Sequence, residues 1–217
     1  MIINIDKPVG WTSFDIVKKV KRITGHKKVG HGGTLDPFAS GVLILGTEND
    51  TKNLSKIAKF NKSYEAELLL GLKTNTLDPE GKITDKKPIP FLSDHILHKT
   101  MKTFEGKQKQ MPPMFSAKKH GGVRLYKLAR KNIEIERNEI DIEIDDISLV
   151  SFSKDKITFN VSCSKGTYIR VLGSDIAEKL GTVGYLINLK RTRVGNYCIN
   201  DSKSIEEFEK EWKSYTE

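Results

Sequence analysis

A carboxylate sits inside a glycine-rich stretch, Lys28-Val29-Gly30-His31-Gly32-Gly33-Thr34-Leu35-Asp36-Pro37. Glycines at 30, 32 and 33 let a backbone pass close to a ligand, and a carboxylate on such a loop can act as nucleophile or general base. Asp before Pro is also a routine turn opener, and for Asp36 taken alone the turn is the better reading. His31 can contact a base, although a lone His among glycines is more often a satisfied loop residue. Tyr64 opens a strand after Lys62-Ser63 and has the ring that a nucleobase stack needs. Taken singly, a strand Tyr more often fills a core. Arg170 follows Lys165-Gly166-Thr167-Tyr168-Ile169 and can hold a carboxylate or phosphate through planar bidentate contacts. An isolated helix Arg is more often solvated. His95 and His98 lack a third ligand nearby and read as surface residues, so no metal site is called for. The sequence has no dinucleotide fingerprint and no P-loop, and no cofactor is expected.

These residues need elements to place them. Residues 1–5 read as a short strand, broken by Lys7-Pro8-Val9-Gly10. Thr12 and Asp15 form a capping box for a helix carrying Ile16, Val20 and Ile23, which Gly25 stops. The glycine-rich stretch feeds an apolar strand at Val42–Leu45, a helix around Thr51–Phe60 follows, and Tyr64–Leu70 is half-alternating. Residues 73–90 read as loop. From Lys99 to Arg130 the chain is basic and rich in Lys, Gly, Met and Pro, which suggests an inserted arm. Period-2 alternation returns at Ile140, Ile142, Ile144 and at Ile157, Phe159, Val161, Cys163. A helix Tyr168–Leu180, an apolar segment Val183–Leu189 and an acidic amphipathic helix Ile205–Tyr215 complete the chain. Helices and alternating strands mix without regular βαβ order, so the fold class is α+β around a mostly antiparallel sheet.

Composition bounds the setting. The 217 residues carry 37% hydrophobic side chains, enough for a sizeable core, and a single domain is expected. The net charge is +9, but residues 201–217 hold six acids against three lysines. The first 200 residues therefore carry 34 basic against 22 acidic groups, a surplus that favours a polyanionic partner. Cys163 and Cys198 form no CxxC pattern, which argues against a disulfide framework or a zinc site. With no apolar run of about 20 residues and no signal-peptide layout, a cytoplasmic protein without membrane attachment is expected.

In this order the motifs resemble the TruB-type bacterial tRNA pseudouridine synthases. The resemblance rests on Lys7-Pro8-x-Gly10-x-Thr12-Ser13 and on Gly30-His31-x-Gly33-Thr34-Leu35-Asp36-Pro37-x-Ala39-x-Gly41-Val42-Leu43. Lys62-x-Tyr64-x-Ala66, Gln110-x-Pro112-Pro113-x-x-Ser116-Ala117 and Tyr126-x-x-Ala129-Arg130 add to it. Cys163-Ser164-Lys165-Gly166-Thr167-Tyr168-Ile169-Arg170 and Leu189-x-Arg191-Thr192 complete it. The matches span nearly the whole chain, and the second and sixth are long enough to be specific.

The resemblance implies a pseudouridine synthase fold, a central mixed sheet with flanking helices and an RNA-binding insertion near 99–130. It implies that Asp36 is the catalytic carboxylate, that Tyr64 stacks on the target base, and that Arg170 pairs with the aspartate and helps hold the flipped nucleotide. His31, Tyr168 and Leu189 match substrate-contacting positions, while Lys7, Pro8, Lys165 and Gly166 support the site. The implied substrate is the T stem-loop of tRNA, modified at position 55; a monomer is the default expectation. Lys107, Lys109, Lys118, Lys119 and Arg124 are the expected phosphate contacts. Two other readings accompany it: a tRNA-folding chaperone with little catalysis, and a synthase directed by guide RNA. Departures from the family pattern are Asn75 where Asp is usual, Gly184-Tyr185 for Ala-His, Lys190 for Arg, and no separate C-terminal RNA-binding domain.

Overall fold

In a computed structural model, which describes residues 1–216, the chain opens with β1 (Ile2–Lys7), α1 (Ser13–Thr24), β2 (Val29–His31), β3 (Ser40–Thr47) and α2 (Leu54–Ile57). β4 (Lys62–Leu70), β5 (Leu72–Thr74), β6 (Ile83–Lys86), α3 (Asp94–Lys102) and β7 (Gly106–Gln110) follow. Next come β8 (Lys119–His120), β9 (Val123–Arg124), α4 (Leu125–Ala129), β10 (Ile140–Phe152) and β11 (Lys156–Cys163). The chain ends with α5 (Ile169–Lys179), β12 (Gly184–Val194), β13 (Tyr197–Cys198) and α6 (Ile205–Thr216). Two compact units emerge: one holds residues 1–65 and the segment from Leu189 onward, the other Ala66–Asn188.

In the first unit β1 pairs antiparallel with β3 from Ile2↔Gly46 to Lys7↔Gly41, and β2 pairs antiparallel with β3. β12 lies parallel to β3 through Lys190↔Ser40 and Arg191↔Gly41, so the sheet is mixed. Gly41 permits that approach, because a Cβ there would stand 2.2 Å from the Arg191 carbonyl oxygen. One core joins Ile3, Ile5, Leu43 and Leu45 of the sheet to Ile16, Val17 and Val20 of α1 and to Ile205 and Phe208 of α6. Val42, Ile44 and Val194 instead pack on Leu54 and Ile57 of α2. Alternation along β3 thus faces two separate helical layers, each fully buried aliphatic contributing about 1.5–3 kcal/mol. The capping box of α1 forms as the sequence predicts, and Gly25 closes the helix in the left-handed region at φ 69°.

In the second unit the strand order is β4-β11-β10-β7. β10 and β11 form a long antiparallel hairpin whose register shifts twice, between Ile144 and Asp146 and between Leu149 and Ser151. α5 buries Ile169, Leu172, Ile176 and Ala177. It lies tight on the start of β12, where a Cβ at Gly173 would meet Leu186 at 2.7 Å and one at Gly184 would meet Ala177 at 2.8 Å.

Two segments differ from the sequence reading. Residues 73–90 are not all loop, because β5 and β6 pair as a small hairpin. Every residue of β6 is exposed, which leaves no apolar alternation to announce it. The basic segment begins not as an arm but as the end of α3, with Leu97 and Met101 buried, followed by β7 paired to β10. β7 reads Gly-Lys-Gln-Lys-Gln and is polar throughout, so its strand state is imposed by the β10 backbone. Lys107 stands opposite Glu143 and Lys109 opposite Asp141 in that ladder, a cross-strand placement in which opposite charges attract. Lys118, Lys119 and Arg124 are exposed on and beside the β8–β9 hairpin.

Asp175 on α5 supplies a pH test of this packing. Burial, reinforced by Glu178 and opposed by Lys73, pushes its carboxyl up to about 6 from 3.8. The folded state therefore binds this proton more tightly than the unfolded chain, and the penalty grows as pH rises from about 4 to about 6. With a discount for partial exposure, Asp175→Asn is expected to stabilise the protein by about 1–2 kcal/mol at pH 7.5 and by nothing at pH 4. Urea titrations at both pH values measure this; an equal gain at the two would remove the explanation.

Candidate active site

Asp36 lies on the connection between β2 and β3, half-buried, with its carbonyl accepting the Ala39 amide at 3.1 Å. The backbone on either side of it is held at successive residues. Arg191 Nη2 and Nη1 donate to the carbonyls of Gly33 at 3.3 Å and Thr34 at 3.4 Å, while its Nε donates to Val42 at 2.7 Å. Ser13 clamps Leu35 from both sides: its Oγ accepts the Leu35 amide at 2.8 Å and donates to the Leu35 carbonyl at 3.1 Å. The Pro37 carbonyl accepts from the Gly10 amide at 2.8 Å and from Lys7 Nζ at 3.4 Å. Lys7 is fully buried, and its ammonium also donates to the carbonyls of Pro8 at 2.8 Å and Trp11 at 2.7 Å. A buried charge of this kind needs such acceptors, since desolvation without them costs several kcal/mol.

The loop is therefore pinned at 33, 34, 35 and 37, and the residue it presents is Asp36. Preorganisation of this sort lets a catalytic group meet its substrate without further ordering. His31 ends β2, and the Gly33 amide points at its Nδ1 from 3.4 Å. Tyr64 on β4 is 8% exposed, and Leu189 at the entry of this unit is 5% exposed. Pro8 is exposed on the turn after β1. Lys62, two residues before Tyr64, donates to the carbonyls of Ala58 and Phe60 at the end of α2.

The remaining predicted residues lie in the second unit. Arg170 is not a solvated helix residue but is 3% exposed. Its Nη1 meets Asp78 Oδ2 at 3.0 Å and donates to the Thr76 carbonyl at 2.5 Å, and Nη2 donates to the Phe115 carbonyl at 2.7 Å. Asp78 is itself organised, its Oδ1 accepting from Thr76 Oγ1 and from the Glu80 amide. Tyr168 is the N-cap residue of α5, and the buried Gln110 amide brackets its backbone with bonds of 2.8 and 3.1 Å. Lys165 and Gly166 form an exposed turn, Gly166 at φ 86°. Asn75 accepts the Lys82 amide at 2.9 Å, a loop-closing contact that an aspartate would make equally well. His98 lies 3.5 Å from Asp94 on the exposed side of α3, and among the described residues no group of His, Cys, Asp and Glu has the arrangement of a metal site.

Sequence reading named Lys7 and Arg170 but passed over Arg191, Ser13, Gln110 and Asp78 as working parts. Arg191 had a legible signal, because it occupies an inward position of β12 among Leu186, Leu189 and Val194. A charge in that register must find acceptors.

Residues 21–169 match the family described as TruB family pseudouridylate synthase (N terminal domain). The tRNA pseudouridine synthase B of Clostridium kluyveri is 45% identical over 210 residues, covering 97% of this chain and 72% of its own length. Its namesake in Dehalococcoides mccartyi is 41% identical, covering 96% of this chain and 69% of its own length. Among solved structures, the chain is similar to one in a Cbf5-Nop10-Gar1 complex, with TM-score 0.77 and 26% identity over the whole of this chain and 55% of that one. An archaeal box H/ACA Nop10-Cbf5 complex matches with TM-score 0.73 and 25% identity, again over 55% of that chain. The chain belongs to the TruB family of pseudouridylate synthases.

Proposed function

We propose that this protein isomerises uridine to pseudouridine in tRNA, at position 55 of the T-loop. The observation that carries the reading is the carboxylate of Asp36 on a loop pinned at four neighbouring residues, in a chain 41–46% identical to tRNA pseudouridine synthases B. The target uridine leaves the RNA stack, at a cost of a few kcal/mol. Tyr64 stacks on it and offsets about 1–3 kcal/mol of that cost. His31, Tyr168 and Leu189 contact the nucleotide, and Lys7, Pro8, Lys165 and Gly166 support the residues that touch it. Arg170, oriented by Asp78 and by the carbonyls of Thr76 and Phe115, favours ionised Asp36 and helps hold the flipped nucleotide. The N1–C1′ bond breaks, the uracil turns, and a C5–C1′ bond forms. C5 gives up its hydrogen and N1 gains one, so the product is an isomer and neither redox nor phosphoryl chemistry is needed.

Phosphates of the stem are held by Lys118, Lys119 and Arg124, whereas Lys107 and Lys109 contribute less because acids stand opposite them. Alanine at the first three is expected to flatten the salt dependence of tRNA binding by about 0.7–0.9 in log–log slope per cation, and alanine at the other two by less than half that. Equal slopes for the two sets would refute the distinction. Among the described residues no helix is long and apolar enough to cross a membrane. A cytoplasmic monomer acting without guide RNA is the setting proposed, because identity to the tRNA enzymes far exceeds the 26% shared with the Cbf5 chain.

The test incubates purified protein alone with an unmodified tRNA transcript and maps pseudouridine by carbodiimide treatment and primer extension. Modification at the T-loop uridine is expected. Modification at another uridine would overturn the target, and none at all would overturn the catalytic reading.

A further inference from the structure

The turn and helix beside the Asp36 loop carry a surface that the reaction described above leaves unused. Val9 is 61% exposed, Trp11 37% and Phe14 59%, three large apolar groups within six residues of chain. Such side chains scattered singly need no account, but grouped beside a catalytic loop they mark a contact surface. Their position relative to Asp36 is fixed by covalent and hydrogen-bonded links inside one unit. The Lys7 ammonium that holds the Pro37 carbonyl also holds those of Pro8 and Trp11, and the Gly10 amide donates to Pro37 as well.

The same surface continues as a cationic stripe. Phe14, Lys18, Lys21 and Arg22 recur at helical spacing on the exposed face of α1, opposite the buried Ile16, Val17 and Val20. Lys18 Nζ stands 4.9 Å from the Phe14 ring centroid. Asp15, the acid of this helix, is engaged with Thr12 and lies 3.8 Å from Lys18, whereas Lys21 and Arg22 form no ion pair among the described residues. Aromatic rings followed by a run of exposed cations are what a single-stranded nucleic acid requires, bases stacking on the former and phosphates lying along the latter.

We propose that Val9, Trp11 and Phe14 form a shelf for an unpaired base of the substrate RNA next to the target uridine, with Lys18, Lys21 and Arg22 taking the adjoining phosphates. This rests on the reading of the protein as an RNA-modifying enzyme and adds to it a second foothold for the RNA, separate from the 118–124 segment. The shelf anchors the RNA beside the target nucleotide and takes no part in the chemistry at Asp36.

The chain has two tryptophans, Trp11 and Trp212, so Trp212→Phe makes Trp11 the sole indole reporter. Titrating that protein with an unmodified tRNA transcript is expected to quench Trp11 emission. Trp11→Ala with Phe14→Ala should raise the dissociation constant about five-fold or more, with kcat at saturating RNA unchanged. Lys21→Ala with Arg22→Ala should lower the log–log salt slope by about 0.7–0.9 per cation. All four side chains are exposed, and matching thermal melts confirm that these variants fold. Silent Trp11 emission with binding unchanged within about two-fold overturns the shelf. If pseudouridine still forms under that result, the shelf alone falls; if Trp11 responds to RNA but no pseudouridine forms, the shelf stands and the catalytic reading falls.

Discussion

Asp36→Asn protein will fold, bind tRNA and form no measurable pseudouridine. The contacts that pin the loop at residues 33, 34, 35 and 37 run through backbone carbonyls and one backbone amide. Asparagine is nearly isosteric, so those contacts persist while the anionic oxygen is lost. Removing the central reacting group of a preorganised site lowers kcat on the order of 10⁴-fold or more. Single-turnover assays with excess enzyme separate this from weakened binding. A variant retaining more than about 1% of wild-type kcat would show that another group carries the chemistry.

The second large effect concerns Arg170. Breaking a buried ion pair by removing one partner strands the other, at about 3–5 kcal/mol. Arg170→Met leaves Asp78 buried, still accepting from Thr76 and the Glu80 amide but without its cation, and frees the carbonyls of Thr76 and Phe115. For a chain of this size the melting temperature should fall by roughly 10 °C. Asp78→Asn is milder, because the guanidinium keeps both carbonyls. The double variant should cost less than the sum of the two, since the stranded charge is then gone. Urea titrations of the four proteins measure the coupling, and additivity within about 0.5 kcal/mol would show that the pair does not act as a unit.

Much of this could be read from local pattern. Thr12, Asp15 and Gly25 bracket α1 because capping is decided within one turn of chain. The alternation of Ile142, Ile144 and of Ile157, Phe159, Val161 marks β10 and β11 because one face of each is buried. β7 stayed hidden because its five residues are polar and its partner lies 30 residues downstream, at Ile140↔Gln110. For the site, the loop of Asp36 was legible in its glycines, but its fastenings were not. Ser13 acts on Leu35, Arg191 acts on Gly33 and Thr34, and Arg170 finds Asp78 from 92 positions away. Such pairings follow from which backbones the sheet brings side by side, and residue type announces only that a buried cation must end on some acceptor.

The parallel pairing of β12 with β3 has a consequence for biosynthesis. The loop that presents Asp36 is complete only when Arg191 has docked beside Gly41 and reached Gly33 and Thr34. At a translation rate of about 5–20 residues per second, roughly 8–30 s separate the emergence of the two segments. Throughout that interval the nascent chain carries Asp36 on a loop without the guanidinium clamp. A product cut short before Arg191 would keep the Asp36 motif intact in sequence and lack the fastening that orders it. The loop around Asp36 is thus fastened only by a segment made about 150 residues after it.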